Sequence, residues 1–198
     1  MRHAFKEWAI VIDALMTGKQ IIILRKGGLI EKPGGFEVEH PEFLLFPTLF
    51  HQQRESVLAD DQKRFDEIAH LMPSPEVVRL ECFARVAACK RLETLADAYA
   101  LRGMHIWRDE VIRDRFEWGR SKQIHAMAVR IFRLAAPVEL PMREEYGGCK
   151  SWIEVAEDIS TVGAHAVLDD NAFAAQLHLF QRALEPKPPE PAVIPTSA

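Results

Sequence analysis

The side chains best suited to binding or catalysis are concentrated between residues 19 and 54. The candidates are Lys19, Arg25, Lys26, His40, His51, Gln52 and Arg54. They lie at the ends of predicted strands and in the turns between them, where a rigid sheet commonly holds the groups of a binding site. The cations of Arg25 and Lys26 suit a phosphate or a carboxylate. The alternative is that these two side chains only pair with Glu31 or Glu39.

Two histidines flank a predicted strand in this region. His40 and His51 are separated by 11 residues. They could face each other as a general base and its partner, or bind a metal together with Glu39 or Glu42. A hydrogen-bonded structural role is the alternative for each of them. Since neither spacing is diagnostic, the sequence predicts no metal site, and the cofactor is unknown.

A second group of candidates combines tryptophan with arginine. Trp107, Arg108, Arg115, Trp118 and Arg120 alternate aromatic rings with guanidinium groups, and residues 102–133 carry a net charge of +4. This composition is typical of surfaces that stack bases and follow a phosphate backbone. It is also typical of an amphipathic helix with one face in the core. We take Trp107 and Arg115 as the candidate stacking and charge partners.

A third candidate follows the loop Tyr146-Gly147-Gly148. Cys149, Lys150 and Trp152 come at the start of a predicted helix, with Ser151 as its cap. A thiol at a helix N-terminus beside a lysine has a lowered pKa and can act as a nucleophile. The alternative is a tight glycine turn with a buried cysteine and a packed tryptophan.

Hydrophobic periodicity predicts the elements that position these groups. Phe5, Trp8, Ile12 and Leu15 recur at helical spacing and predict a helix that ends at Gly18; a strand over Trp8–Ile12 followed by a helical turn is the alternative. The other predicted strands are Ile21–Arg25, Gly28–Ile30, Phe36–Glu39, Phe43–Phe46, Glu76–Arg91 and Ala126–Arg133. The other predicted helices are Glu55–Leu71, Leu92–Leu101, 108–116, one that begins at Ser151, and Asp169–Leu184. Pro47 and Pro137 are expected to end strands, and Lys32-Pro33-Gly34-Gly35 to form a turn.

Composition sets the broad class of the protein. The 198 residues are 48% hydrophobic and 27% charged, as in an ordinary globular domain. We expect one domain over residues 1–184. Residues 185–198 contain five prolines and predict a disordered tail, which a scaffold protein would use to bind a partner. The three cysteines form no metal or disulfide pattern, and no apolar stretch is long enough to cross a membrane, so we expect a cytoplasmic protein.

Several segments resemble the family labelled domain of unknown function 1802. The segments that carry the resemblance are Phe5-Lys6-Glu7-Trp8-Ala9, Ile23-Leu24-Arg25-Lys26-Gly27-Gly28, Glu39-His40-Pro41-Glu42-Phe43, Phe46-Pro47-Thr48-Leu49-Phe50-His51-Gln52, His105-Ile106-Trp107, Arg115-Phe116-Glu117-Trp118 and Tyr146-Gly147-Gly148-Cys149-Lys150-Ser151-Trp152. The resemblance covers roughly residues 4–156. It implies a bacterial intracellular protein with no established activity. It also implies a link to nucleic-acid processing or defence, because some relatives are fused to restriction-endonuclease-like domains.

A shorter segment is similar to the opening of the ASCH group of PUA-like barrels, which are RNA-associated. There a helix leads through Gly-Lys into a strand that bears a functional arginine, and Gly18-Lys19-Gln20 and Arg25 follow that order here. This similarity singles out Lys19 and Arg25.

The sequence therefore predicts an α+β fold with a mostly antiparallel, partly closed, PUA-like sheet and flanking helices. The first functional hypothesis is a non-catalytic module that binds RNA, DNA or a nucleotide-like anion. A phosphoester hydrolase that uses His40 and His51 and a non-catalytic scaffold are the alternatives. Nothing in the sequence indicates a P-loop, a dinucleotide-binding GxGxxG, an HExxH or a GxSxG motif, so no reaction is predicted.

Overall fold

A computed structural model describes residues 1–26, 30–32, 35–37, 40–148 and 150–185. Its strands are β1 (His3–Trp8), β2 (Ile22–Arg25), β3 (Ile30–Lys32), β4 (Gly35–Glu37), β5 (Glu42–Thr48), β6 (Val77–Leu92), β7 (Ile124–Pro141), β8 (Trp152–Glu154) and β9 (His165–Ala166). Its α-helices are α1 (Ala9–Met16), α2 (Ala59–Leu71), α3 (Leu95–Tyr99), α4 (Asp109–Glu117) and α5 (Asp170–Ala183). Short 3-10 helices cover His51–Ser56 and Glu144–Tyr146. None of the described helices is long and apolar enough to span a membrane.

One mixed sheet dominates the fold. Its strand order is β2-β7-β6-β5-β1-β8, with β9 added beside β7. The β1–β5 pair is parallel, whereas the other pairs of this sheet are antiparallel. Strands β3 and β4 form a separate antiparallel pair. The predicted α+β class with a mostly antiparallel sheet is therefore confirmed.

The sheet is curled, because its long β6–β7 hairpin is irregular. Register shifts interrupt this hairpin between Leu80 and Cys82 and between Val86 and Ala88, and such bulges increase local bend and twist. The curl brings the edge strand β2 towards β1, four places along the strand order. The Nη2 of Arg25 on β2 donates a hydrogen bond of 2.5 Å to the carbonyl oxygen of Lys6 on β1. A side chain thus closes part of the gap that strand pairing leaves open.

Helix α1 fills the inside of the curl. All of its residues except Asp13 are buried, which explains why the segment after Trp8 is apolar on every side. A larger core surrounds this helix, and a smaller core on the other face of the sheet includes Leu44, Phe46 and Tyr146.

The first predicted helix is wrong in its first third. Phe5 belongs to β1, where it pairs with Leu45 of β5 and Trp152 of β8, and the helix begins only at Ala9. The alternative, a strand before the helix, is closer, but that strand ends at Trp8. Pairing on both sides of β1 outweighs the helical spacing of its apolar residues.

Both prolines predicted to end strands lie inside them. Pro47 pairs with Glu7 of β1 beyond the point where β6 pairs with β5, so no hydrogen bond from a Pro47 N–H is needed on that side. Pro137 lies in the irregular stretch between Arg133 and Val138, which faces the Leu80–Cys82 shift of β6. The helix predicted to begin at Ser151 is also wrong, because Trp152–Glu154 forms β8 against β1.

Other elements follow their local patterns. Strand β2, the long strand β6, helix α4 and helix α5 confirm the predictions to within a few residues, and Asp169 caps α5 by accepting a hydrogen bond from Ala172 N–H at 2.8 Å. The predicted helix Leu92–Leu101 is shorter, at Leu95–Tyr99. Strands β3 and β4 overlap the two predicted there, but Pro33 and Gly34 of the predicted turn lie outside the described residues, as do Cys149 and 186–198 of the proline-rich tail.

Candidate functional site

Two arginines meet two tryptophans where β1, β2 and α4 come together. The guanidinium carbon of Arg115 lies 4.8 Å from the ring centre of Trp8 and 5.0 Å from that of Trp107. Arg115 Nη1 donates to the carbonyl oxygen of Leu24 at 3.0 Å. Arg25 lies over the ring of Phe5 at 4.4 Å. We call the group formed by Glu7, Trp8, Arg25, Trp107 and Arg115 the Arg115 cluster.

A buried carboxylate belongs to the same cluster. Glu7 is 1% exposed, and its Oε1 accepts a hydrogen bond from the N–H of Trp8 at 2.8 Å. Burial lowers the pKa of Arg115 to about 10; the charge of Glu7 opposes this shift and that of Arg25 adds to it. Arg115 therefore stays protonated at neutral pH, and the opposite charge of Glu7 compensates part of its desolvation.

The protein does not satisfy every polar atom of the Arg115 cluster. Glu7 Oε2, Arg25 Nε and Trp107 Nε1 are buried without a hydrogen-bond partner among the described residues. However, Trp107 is 1% exposed, with Arg115 over its ring and His105 packed against it at a tilted angle, so its ring has no free face for a base. Arg25 and Arg115 direct donors at backbone carbonyls. The cluster therefore closes part of the curled sheet around the buried Trp107, and the exposed groups nearest to it lie at its margin.

That margin carries an exposed tryptophan with cations beside it. Helix α4 ends at Glu117, and Trp118, the first residue after it, is 73% exposed. A Cβ atom added to Gly119 would lie 4.0 Å from Lys26 Cε. Because Lys26 directly follows β2, this turn lies against the end of that strand. Arg120 and Lys122 follow and are exposed. We call the group formed by Lys26, Trp118, Arg120 and Lys122 the Trp118 surface.

Backbone carbonyls hold two of the three cations of the Trp118 surface, Lys26 and Lys122. Lys26 Nζ donates to the carbonyl oxygen of Phe116 at 2.8 Å and to that of Ser121. Lys122 Nζ donates to the carbonyl oxygen of Glu117 at 2.9 Å. Burial, followed by the charge of Lys122, lowers the pKa of Lys26. Within the described part of the chain no carboxylate forms an ion pair with Lys26, Arg120 or Lys122, so this surface keeps its positive charge.

Two predicted cations are neutralised by helix α2. Lys19 Nζ lies 2.6 Å from Oδ1 of the buried Asp61. Arg54 binds Asp66 with two hydrogen bonds of 2.8 and 3.0 Å and Glu55 with a third. These bonds lower the pKa of Asp66. Lys19 and Arg54 thus have their charges matched within the protein. The alternative that Arg25 and Lys26 pair with Glu31 or Glu39 stays a prediction, because Glu39 and the side chain of Glu31 lie outside what the structure describes.

The two predicted histidines lie at opposite ends of β5. His40 precedes the strand and stacks on His3, with ring centres 3.7 Å apart. His51 follows the strand as the first residue of a 3-10 helix and is exposed, as is Gln52. A seven-residue strand spans about 20 Å, so His40 and His51 do not form an acid–base pair. The described residues also hold no group of three potential metal ligands.

The glycine loop near the third candidate is organised by a lysine. Lys6 Nζ donates to the carbonyl oxygens of Tyr146, Gly147 and Gly148 at 2.6, 3.3 and 2.8 Å. Lys150 is exposed, and Trp152 packs with its ring centre 4.7 Å from that of Phe5. Since β8 replaces the predicted helix, no helix N-terminus is there to activate the Cys149 thiol, and Cys149 itself lies outside the described residues.

The structure buries Trp107, the candidate stacking residue of the sequence analysis, and exposes Trp118. It also buries Glu7, a carboxylate that the sequence analysis did not single out. The signal for Trp118 was present: the helix predicted over 108–116 ends just before it, which leaves its side chain outside the amphipathic pattern. Glu7 carried no such signal, because its burial depends on pairing of β1 with β5.

Comparison with known proteins gives a family and distant structural neighbours. The family model described as domain of unknown function (DUF1802) matches residues 4–178. No curated protein matches the chain. Similar solved structures include the ASCH protein of Zymomonas mobilis, at 12% identity and a TM-score of 0.41 over 72% of this chain and 88% of that one. Variants of that protein with a tyrosine changed to phenylalanine or a serine changed to alanine match at 12% and 13% identity, with TM-scores of 0.40 and 0.41, over 72% of this chain and 90% and 88% of theirs.

Proposed function

The chain belongs to the DUF1802 family, and we propose that it is a binding module for single-stranded nucleic acid. The observation that carries this proposal is the exposed Trp118 among cations that no described carboxylate neutralises. An exposed indole offers a face on which an unpaired base stacks, and nearby ammonium and guanidinium groups bind phosphates. This role agrees with the nucleic-acid processing or defence link that the family resemblance implies.

The residues around Trp118 take three roles: phosphate contact, base stacking and positioning of the surface. Lys26, Arg120 and Lys122 contact phosphates, and Trp118 stacks one base. Arg25 and Arg115 position the surface from behind, because they join β1 and β2 to α4 through carbonyl hydrogen bonds. An indole stacks on an exposed base more readily than on one inside a duplex, so single strands are preferred over duplexes.

The test is a titration of the purified protein with labelled oligouridine, oligothymidine and a duplex, each at several salt concentrations. We expect saturable binding of the single strands, with a slope of log affinity against log salt of about −2 for three phosphate contacts. Trp118→Ala should weaken binding roughly tenfold, whereas Trp118→Phe should retain most of it. The matched control is Leu179→Ala, because Leu179 is an exposed apolar side chain on α5. Equal binding by Trp118→Ala and the wild type, or no binding at low salt, would overturn the proposal.

A further inference from the structure

A cleft lies where α1, α2 and the sheet strands β5, β6 and β7 meet. Its volume is about 390 Å³, within the range of small-molecule sites. Its apolar lining includes Ile12 and Met16 of α1, Leu45 of β5 and Ile68 of α2. Leu71, at the end of α2, forms part of the rim and is 73% exposed.

Three arginines and two acids also line the cleft, and two of the arginines are already paired. Arg64 binds Asp13 with hydrogen bonds of 2.6 and 3.0 Å and also contacts Glu67. Arg79 lies 3.0 Å from Glu81. The third arginine therefore carries the excess positive charge of the lining.

That third arginine is Arg133, on β7. Its Nη2 donates to the carbonyl oxygen of Met16, at the end of α1, at 3.3 Å. No carboxylate among the described residues forms an ion pair with Arg133. A guanidinium presents five N–H donors in a planar fork, so the described part of the chain leaves most donors of Arg133 open to a ligand beside an apolar wall.

We propose that this cleft binds a small amphipathic monoanion, an apolar body that ends in a carboxylate. The body lies against Ile12, Met16 and Ile68, and the carboxylate accepts hydrogen bonds from Arg133 in the fork geometry that arginine offers. The side chains that line the cleft carry one more positive charge than negative charges, which matches the single negative charge of such a ligand. The site is distinct from the Trp118 surface and shares no residue with it.

The experiment uses 1-anilinonaphthalene-8-sulfonate, a fluorescent apolar monoanion, as the probe of the full-length protein. Octanoate, octylamine and octanol then compete for the site, since they share an apolar chain and differ in charge. We expect octanoate to displace the probe at concentrations at least tenfold lower than either competitor. Arg133→Gln should weaken probe and octanoate binding roughly tenfold or more, the scale of a charge-assisted hydrogen bond.

Two further variants keep the result interpretable. Arg113→Gln removes an exposed arginine of α4 outside the cleft and should leave binding unchanged. Leu71→Glu adds a negative charge at the rim of the cleft, and it should not disturb folding because Leu71 is exposed. This variant should bind octanoate more weakly than the wild type does and octanol equally well. Equal displacement by octanoate and octylamine, or octanoate binding that is the same in Arg133→Gln as in the wild type, would overturn the proposal.

Discussion

The Arg115 cluster and the Trp118 surface share tryptophan and cationic side chains but differ in burial. Both combine tryptophan with cations, and helix α4 contributes to one and leads into the other. In the cluster Trp107 is 1% exposed and the guanidinium groups bond to carbonyls across the sheet. On the surface Trp118 is 73% exposed, and Arg120, two residues further along the chain, is exposed as well. Composition identifies a tryptophan–arginine group, but burial decides whether it stabilises the fold or is available to a ligand.

Among the variants that test this difference in burial, Arg115→Met should have the largest effect. The change takes the charge of Arg115 away from the buried carboxylate of Glu7 and removes the hydrogen bond between α4 and β2. We expect the free energy of unfolding to fall by about 3 kcal/mol, the scale for leaving a buried charge and a buried carbonyl oxygen without their partner. Urea unfolding followed by circular dichroism measures it.

Arg113→Met is the matched control for Arg115→Met, since Arg113 lies on the same helix and is exposed. Its free energy of unfolding should change by less than about 0.5 kcal/mol. If Arg115→Met and Arg113→Met unfold at the same urea concentration, the cluster is not what closes the sheet.

The next effect concerns pH and His105, which packs against Trp107 at 5.4 Å between ring centres. Burial lowers the pKa of His105 to about 4; the charge of Arg115 adds to this shift, while that of Asp109 opposes it. The unfolded chain, with a pKa near 6.5, binds the proton first, so stability falls as the pH drops from about 6.5 towards 4. We expect His105→Gln to lose about 2 kcal/mol of that pH dependence, measured by unfolding at pH 7 and pH 4.5. An unchanged pH profile would show that His105 is not the group that titrates.

A smaller effect should follow when the Trp118 surface loses charge. In the double variant Arg120→Gln and Lys122→Gln, the slope of log affinity against log salt should become less steep by about 1.4 for single-stranded oligonucleotides, because two phosphate contacts are lost. Stability should stay nearly constant, since both side chains are exposed. A salt dependence equal to that of the wild type would place the phosphates elsewhere.

The smallest effect is expected at a predicted cation that the structure neutralises. Arg54→Gln removes a guanidinium that already serves Asp66 and Glu55, so oligonucleotide affinity should stay within a factor of two of the wild type. The same titration measures this. A loss of affinity as large as that of Trp118→Ala would show that Arg54 contributes to binding, although its charge is matched within the protein.

Much of the fold could be predicted because its patterns are local. The β-branched run of β2, the alternation in β6 and the capped amphipathic helix α5 each identify their element without help from the rest of the chain. The incorrect predictions lie in segments whose structure depends on pairing with residues distant in the sequence. Strand β1 is held by β5 and β8, and Pro47 remains in β5 because β6 no longer pairs there.

The candidate site was harder to predict for the same reason. The sequence identified Arg25, Lys26, Trp107 and Arg115, and the structure brings Arg25, Trp107 and Arg115 into one cluster. The sequence could not show that Trp107 is buried. Nor could it show that Asp61 and Asp66 of α2 neutralise Lys19 and Arg54. Those outcomes depend on contacts across tens of residues, which no spacing encodes.

Photocrosslinking tests most directly whether the Trp118 surface is where nucleic acid binds. The wild-type protein is irradiated with an oligonucleotide that carries a photoreactive base, digested, and the modified peptide is identified by mass spectrometry. We predict adducts on the peptide that contains Trp118 and their loss at high salt. Adducts confined to other surfaces, such as the cleft that contains Arg133, would contradict the account.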